Sequence, residues 1–202
     1  MPSNTASAHI IQQDVTTIIL AGGEGRRLKG QDKGLIKIHG RSLVAHALDT
    51  FSPITTQVII SANRNIEDYK SYGFPVITDN GPCYQGPLAG ISSCLNATQT
   101  PYAFVVACDM PSVPASIIKR LYTGLKTQQG AQIALAHDGI RSQPLCLLLS
   151  SQLKSSLKQT LKRKELKVLR WINDQNSVTV DCSDIKDSFK NINTTTDLAQ
   201  AT

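Results

Sequence analysis

The sequence predicts an α/β domain of three layers, with a mostly parallel sheet, helices on both faces and one site across the carboxyl ends of the strands. Three observations carry this. Thr16-Thr17-Ile18-Ile19-Leu20 is β-branched and apolar without alternation, the pattern of a short strand covered on both faces. Tyr102 to Ala107 repeats that pattern and runs into Cys108-Asp109-Met110-Pro111. Between them, a helix from Leu43 to about Phe51 and a strand Gln57-Val58-Ile59-Ile60-Ser61 complete a strand, helix, strand unit. Such a crossover is right-handed, so the Gly22 to Gly25 loop and the Ser61 to Asn63 turn open on one edge of the sheet.

The first 14 residues carry Ser, Asn, Thr and Gln, with no basic segment leading into an apolar one. They read as a flexible amino-terminal lead, 1–14, before a single domain, 15–202, and not as a secretory signal. No apolar run approaches the ~20 residues that span a bilayer, so a cytoplasmic protein without membrane attachment is expected. The five cysteines, Cys83, Cys94, Cys108, Cys146 and Cys182, are scattered and odd in number, as expected of reduced thiols in a core. A net charge of +6 points to an anionic partner. The densest basic run, Lys154 to Arg170, follows leucines at helical spacing without interleaved aromatics. It is read as a solvated helix face, and nucleic-acid binding is not expected.

Along the chain, the first strand feeds Leu20-Ala21-Gly22-Gly23-Glu24-Gly25-Arg26-Arg27-Leu28-Lys29-Gly30-Gln31-Asp32-Lys33. Three glycines in four positions expose backbone N–H groups to one concavity, and Arg26, Arg27, Lys29 and Lys33 add four cations, a seat for a triphosphate. It is not a Walker loop, because Lys33 precedes Gly34 and Leu35. It is not a dinucleotide fingerprint, because Leu28 stands where the third small residue belongs. A glycine-rich turn with a solvated basic face is the bland alternative. Leu35 to Arg41 then reads as a small two-stranded excursion closed by Gly40, with Ser42 capping the next helix.

After Ser61, Ile66 to Tyr72 suits a short helix and Phe74 to Ile77 a short strand, with Asp79 at its exit. Gly86-Pro87-Leu88-Ala89-Gly90 opens a helix to about Asn96, Pro87 suiting its first turn and its free N–H groups an anion or a base edge. The strand ending at Asp109 delivers a carboxylate from an apolar run, which calls for a metal, a cation or several N–H donors. Magnesium fits beside a triphosphate, because it takes only one or two protein carboxylates. The alternative is that Asp109 caps the helix beginning near Pro114. A helix Ala115 to Gln128, a strand Gln132 to Ala136, a turn His137-Asp138-Gly139, strands Leu145 to Leu149 and Ser177 to Asp181, and a short last helix complete the expected order.

Leu-Ala-Gly-Gly, a basic pair and Asp-Lys together resemble the nucleotidyltransferases that activate sugars and cofactors, and most of all the MobA family of molybdenum cofactor guanylyltransferases. Gly-Pro-Leu-Ala-Gly at 86–90, Cys-Asp-Met-Pro at 108–111 and Asn191-Ile192-Asn193-Thr194 resemble further elements of that family, and the likeness covers nearly the whole chain. It implies a Rossmann-like nucleotide-diphospho-sugar transferase fold and an enzyme that binds GTP and transfers GMP to the terminal phosphate of molybdopterin, releasing pyrophosphate. It implies magnesium, with manganese as a substitute, and cytosolic proteins that deliver and accept the molybdenum cofactor.

By resemblance, Gly22, Gly23 and Gly25 cradle phosphates, Arg27 and Lys33 steady the leaving pyrophosphate, and Asp109 holds the metal. Leu20, Ala21, Ser61, Asn63, Asp79 and Gly86 surround base and ribose, and Asn191 and Asn193 meet the acceptor. Ser61 stands where relatives often have Asn, and Thr195 where Pro is common. Arg141 to Pro144 would lie around the acceptor pocket. Asp79 is expected to accept from guanine N1–H and its amino group; if it binds ribose instead, main-chain groups near Leu20 and the 86–90 turn read the base. A cytidylyl or sugar-nucleotide transferase and a non-catalytic GTP binder are the alternative functions.

Overall fold

The computed structural model describes residues 13–22, 30–79, 86–193 and 197. Gly23, Gly25, Arg26, Arg27, Lys29, Cys83 and Thr195 therefore lie outside the described residues. The strands are β1 Val15–Leu20, β2 Lys37–Ile38, β3 Arg41–Ser42, β4 Gln57–Ser61, β5 Val76–Ile77, β6 Tyr102–Ala107, β7 Ile133–His137, β8 Ser142–Ser150 and β9 Ser177–Asp181. The helices are α1 Leu43–Phe51, α2 Ile66–Lys70, α3 Pro87–Ala97, α4 Ser116–Thr127, α5 Lys154–Lys162 and α6 Val168–Asn173.

The main sheet has the order β5-β4-β1-β6-β8-β7-β9, with only β8 antiparallel to its neighbours. The α/β expectation with a mostly parallel sheet holds. β1 sits at the centre of the parallel half, all six of its residues buried. Alternate positions face opposite layers: Val15 and Ile19 pack with α1 and α4 residues such as Val44, Phe51 and Leu121, while Ile18 and Leu20 pack with Leu88, Ile91 and Leu157 of α3 and α5. The buried threonines of β1 are paired, Thr16 with Thr100 at 2.8 Å and Thr17 with Thr55 at 3.2 Å, so no hydroxyl is stranded in the core.

Several expectations need correction. β8 begins at Ser142, not Leu145. Pro144 does not stop it, because it sits where the β7–β8 register shifts between Leu135 and His137 and no ladder N–H is required. Arg141 to Pro144 thus leads into and forms the start of a strand. The basic run is two helices, broken at 163–167, with Lys164 in the left-handed region at φ 56°. A 3₁₀ stretch, Ser183–Phe189, follows β9 and had no periodic signal. Asp14, placed in the lead, accepts from the Tyr122 hydroxyl at 3.0 Å. Cys94, Cys108, Cys146 and Cys182 are free and buried, and burial pushes the Cys94 thiol up to about 12. Among the described residues no helix is long and apolar enough to cross a membrane.

Candidate active site

Every parallel strand of this half ends at one edge, and two carboxylates stand there on opposite sides of β1. Asp109 follows β6 and Asp79 follows β5. Each sits two residues past an apolar strand, where the chain leaves the sheet and the side chain meets the crevice.

In the Asp109 corner, three sequence-distant residues converge. Lys33 Nζ donates to Asp109 Oδ2 and, at 2.6 Å, to Asn193 Oδ1. The side chains of Lys33 and Asp109 are only 20% and 14% exposed, so the ion pair is shielded from bulk water. The carboxy-terminal segment is fastened here by its backbone: Ile192 N donates to the Asp109 carbonyl at 2.9 Å and Asn193 N to Asp197 Oδ2 at 2.8 Å. Ile192 is buried while Asn191 is exposed, so the two asparagines turn away from the core as an extended segment requires, yet only Asn193 reaches Lys33. Asp109 does not cap a helix, since α4 has Ala115 at its N-cap with no side-chain bond.

Asp109 Oδ1 is buried and has no hydrogen-bond partner among the described residues. A buried carboxylate oxygen left bare is costly, and a hard cation satisfies it. Among the described residues no group of three or more His, Cys, Asp or Glu converges; the single bare carboxylate oxygen is a donor of the kind magnesium takes.

The Asp79 corner is built differently. Asn63 Nδ2 donates to Asp79 Oδ2 at 2.8 Å, and Asp79 N donates back to Asn63 Oδ1 at 2.9 Å, a reciprocal pair that fixes both side chains. Asp79 Oδ1 is again buried without a partner among the described residues. Burial raises the Asp79 carboxyl above the usual carboxylate range, opposed by the Asn63 amide. Gly90 of α3 makes this corner possible. A Cβ there would stand 2.5 Å from Ser61 Oγ and 3.5 Å from Asp79 Oδ1, so only glycine lets α3 close on β4. Gly86, at φ 80°, opens the helix without a side-chain cap, leaving its first turn to the crevice.

The expected nucleoside residues are therefore together, in unequal roles. Gly22 is exposed beside Asn63, where a Cβ would lie 3.6 Å from Nδ2. Leu20, Ala21 and Ser61 are buried and act from behind. The Ser61 carbonyl accepts from Ala21 N and Gly22 N, both at 2.9 Å, and its hydroxyl lies under Gly90. Ser61, 3% exposed, thus seats Ala21, Gly22 and α3 from beneath. The Leu20 carbonyl accepts from Cys108 N at 3.0 Å, tying the loop's start to the Asp109 corner.

The His137-Asp138-Gly139 turn satisfies itself. Asp138 accepts from Arg141 N at 2.7 Å, Ile140 N at 2.8 Å and Gln143 Nε2 at 2.6 Å. The N–H groups of Arg141 and Ile140 hold its carboxyl below the usual range, so the carboxylate shapes the β7–β8 hairpin. The sequence reading missed another group: Asp32, Arg64 and Tyr69, which meet behind Lys33. Nothing in the spacing of Arg64 points back to residues 30–32.

The profile of the MobA-like NTP transferase domain matches residues 17–178. Molybdenum cofactor guanylyltransferase of Shewanella loihica is 38% identical over 180 residues, 89% of this chain and 91% of that protein. Its counterpart in Shewanella sediminis is 39% identical over the same shares. Among solved structures, molybdopterin-guanine dinucleotide biosynthesis protein A of Archaeoglobus fulgidus superposes with a TM-score of 0.76 at 24% identity, covering 92% of this chain and 96% of that one. A 2-C-methyl-D-erythritol 4-phosphate cytidylyltransferase of Thermus thermophilus gives 0.66 at 16%, covering 91% and 95%, and shares the fold alone. With that family model spanning most of the chain and relatives at 38–39% identity, this chain belongs to the MobA-like NTP transferase family.

Proposed function

We infer that this enzyme transfers the guanylyl group of GTP to the terminal phosphate of molybdopterin, giving the guanine dinucleotide form and pyrophosphate. The observation that carries the reading is the junction of Lys33, Asp109 and Asn193, where a donor-loop cation, a strand-end carboxylate and the carboxy-terminal segment meet. The relatives' names supply the substrates; the cytidylyltransferase likeness supports only the fold.

The reaction needs no covalent intermediate on the protein. An oxygen of the acceptor phosphate attacks the α-phosphorus of GTP, the bond to the β-phosphate bridging oxygen breaks, and that electron pair leaves with pyrophosphate. The attacking oxygen is already anionic, so no residue has to take a proton from it. The task of the chain is alignment and charge. Lys33 would turn from Asp109 toward the leaving pyrophosphate, with Arg27 assigned the same role by resemblance. Asp109 would hold magnesium, or manganese in its place, and such an ion supplies Lewis-acid neutralisation of the phosphate charge. Asn193, with Asn191 beside it, would orient the acceptor.

At the other corner, Asp79 Oδ1 would accept from the guanine N1–H and amino group, while Asn63 keeps that carboxylate aimed. Adenine presents an unprotonated N1 to the same oxygen, which repels it and leaves it unpaired. On this reading the enzyme would act in the cytoplasm, with cytosolic proteins delivering and receiving the labile pterin.

The test is to incubate the purified chain with molybdopterin, magnesium and either GTP or CTP, and to read pyrophosphate release and the dinucleotide by mass spectrometry. GTP is expected to give both products and CTP neither. Product from CTP in place of GTP would replace this reading by the cytidylyl alternative.

A further inference from the structure

We infer that Arg64 and Tyr69 are positioning residues for the reaction, holding the Lys33 ammonium at its station through Asp32 and the two residues before it. This rests on the reading of Lys33 as the cation that meets the leaving pyrophosphate.

Lys33 opens a 3₁₀ turn, Lys33–Leu35, for which Asp32 is the N-cap, accepting from Gly34 N at 3.2 Å. The same carboxylate collects the groups behind the turn. Its Oδ1 accepts from the Tyr69 hydroxyl at 2.5 Å, and its Oδ2 accepts from Asn65 Nδ2 at 3.0 Å and lies 3.4 Å from Arg64 Nε. Arg64 spends the rest of its fork on the chain leading into Asp32: Nη1 donates to the Gly30 carbonyl at 2.9 Å and Nη2 to the Gln31 carbonyl at 2.7 Å. One guanidinium thus hydrogen-bonds Gly30 and Gln31 and pairs its charge with Asp32, the three residues directly before Lys33, although its Nε makes no hydrogen bond among the described residues. A lysine could not, because its single ammonium lacks the planar fork.

The grip is anchored in the fold. Tyr69 is wholly buried, and burial with Asp32 beside it keeps its phenol protonated and donating. Gly34 leaves space for that hydroxyl, which a Cβ at this position would strike, and the same Cβ would press on Ala21 at 3.0 Å. The glycine, the tyrosine and the loop's first residues therefore close on one another. Charge points the same way. The Asp32 side chain is only 6% exposed and lies directly before Lys33, and Arg64 offsets a negative charge that would repel a triphosphate.

Through this arrangement the turn between β4 and α2, which touches no reacting atom, sets where the Lys33 backbone lies. A lysine side chain has four torsions, so fixing its backbone is what makes its reach reproducible. A displacement on the order of 1 Å in such a group lowers a rate by about 100-fold.

The experiment is a double-mutant cycle on kcat and on KM for GTP, with wild type, Lys33→Ala, Arg64→Ala and the double variant, repeated with Tyr69→Phe in place of Arg64→Ala. Arg64→Ala should lower kcat by about 10- to 100-fold with KM for GTP changed by less than about threefold. The double variant should be no slower than Lys33→Ala alone, because the arginine has nothing left to position. Arg64→Lys should recover less than half of the lost rate. Tyr69→Phe keeps the buried ring, so it serves should Arg64→Ala fail to fold, and a thermal melt checks each variant. It should slow turnover several-fold in the presence of Lys33 and not in its absence. Losses that multiply in both cycles, while Lys33→Ala is itself impaired, would overturn this inference alone. Full turnover by Lys33→Ala would overturn the role of Lys33 and the inference with it.

Discussion

The two strand-end carboxylates occupy equivalent places on either side of β1 and are not chemically equivalent. Asp109 and Asp79 each bury one oxygen that has no partner among the described residues. Asp109 gives its other oxygen to the Lys33 ammonium, whereas Asp79 gives its to the Asn63 amide. An ammonium offsets the charge where it stands. An amide offsets only part of the loss of water, and burial accordingly raises the Asp79 carboxyl. Under the proposed function the first corner would exchange its ammonium for a bound cation, and the second would read the neutral N–H groups of a base. The difference lies in the partner and not in the carboxylate.

The comparison breaks most visibly at Asp109. On the proposed metal role, Asp109→Ala would remove the anchor and leave Lys33 without its carboxylate, so turnover should fall by about 1,000-fold or more at saturating magnesium, read as pyrophosphate release. Near-normal rates would remove the metal role. At the other corner, Asp79→Asn keeps shape and loses charge. GTP and ITP should both bind about 100-fold more weakly, the scale of one buried charged hydrogen bond, with the 2′-deoxy form weakened equally. A loss confined to the ribo form would assign Asp79 to ribose.

These contrasts also show how far the sequence could be read. The apolar runs at 15–20 and 102–107 have no alternation to misjudge, so their strands, and the residues at their ends, were legible. Likewise Ser42 was legible as a cap, and it does accept from Ala45 N. The meeting of Lys33 with Asp109 and Asn193 joins residues 76 and 160 positions apart, which no local pattern encodes. Arg64 was illegible for a related reason: its partners are mainly carbonyls, and a carbonyl leaves no mark on the residue type. The start of β8 at Ser142 was illegible because a proline such as Pro144 is tolerated in a strand where its missing N–H is not needed. The leucine spacing around 153–171 runs on across a helix break that Lys164, in the left-handed region, marks.

Smaller effects sharpen the comparison. Gly90→Ala drives a methyl onto Ser61 and toward Asp79, and should destabilise by about 1–3 kcal/mol, seen as a Tm several degrees lower, with weaker GTP binding and little change in metal dependence. Alanine at Asn193 should loosen molybdopterin retention about tenfold while GTP affinity moves less than about twofold. Asn191→Ala should add less, since Asn191 is exposed and makes no bond to Lys33. Equal loss of both affinities would remove the acceptor role.

Proton linkage gives the smallest signal and belongs to the Asp79 corner. The folded state binds the Asp79 proton more tightly than the unfolded chain does, because its carboxyl is raised. Its contribution to stability is fully present below the ordinary carboxylate range and is lost as pH rises through the raised value. GTP binding runs the opposite way, since only the ionised carboxylate accepts from guanine. Affinity for GTP should drop as pH falls through that raised value, and Asp79→Asn should flatten the profile.

The central claim is that the Asp109 corner performs transfer and the Asp79 corner selects the base. The most direct measurement is the ratio of kcat/KM for GTP to that for ATP, taken in wild type, Lys33→Ala and Asp79→Asn. Lys33→Ala should slow both nucleotides by the same factor, about 100-fold or more, and leave the ratio unchanged. Asp79→Asn should collapse the ratio while the maximal rate with GTP stays within about tenfold of wild type. A ratio that falls in Lys33→Ala and survives in Asp79→Asn would contradict the account.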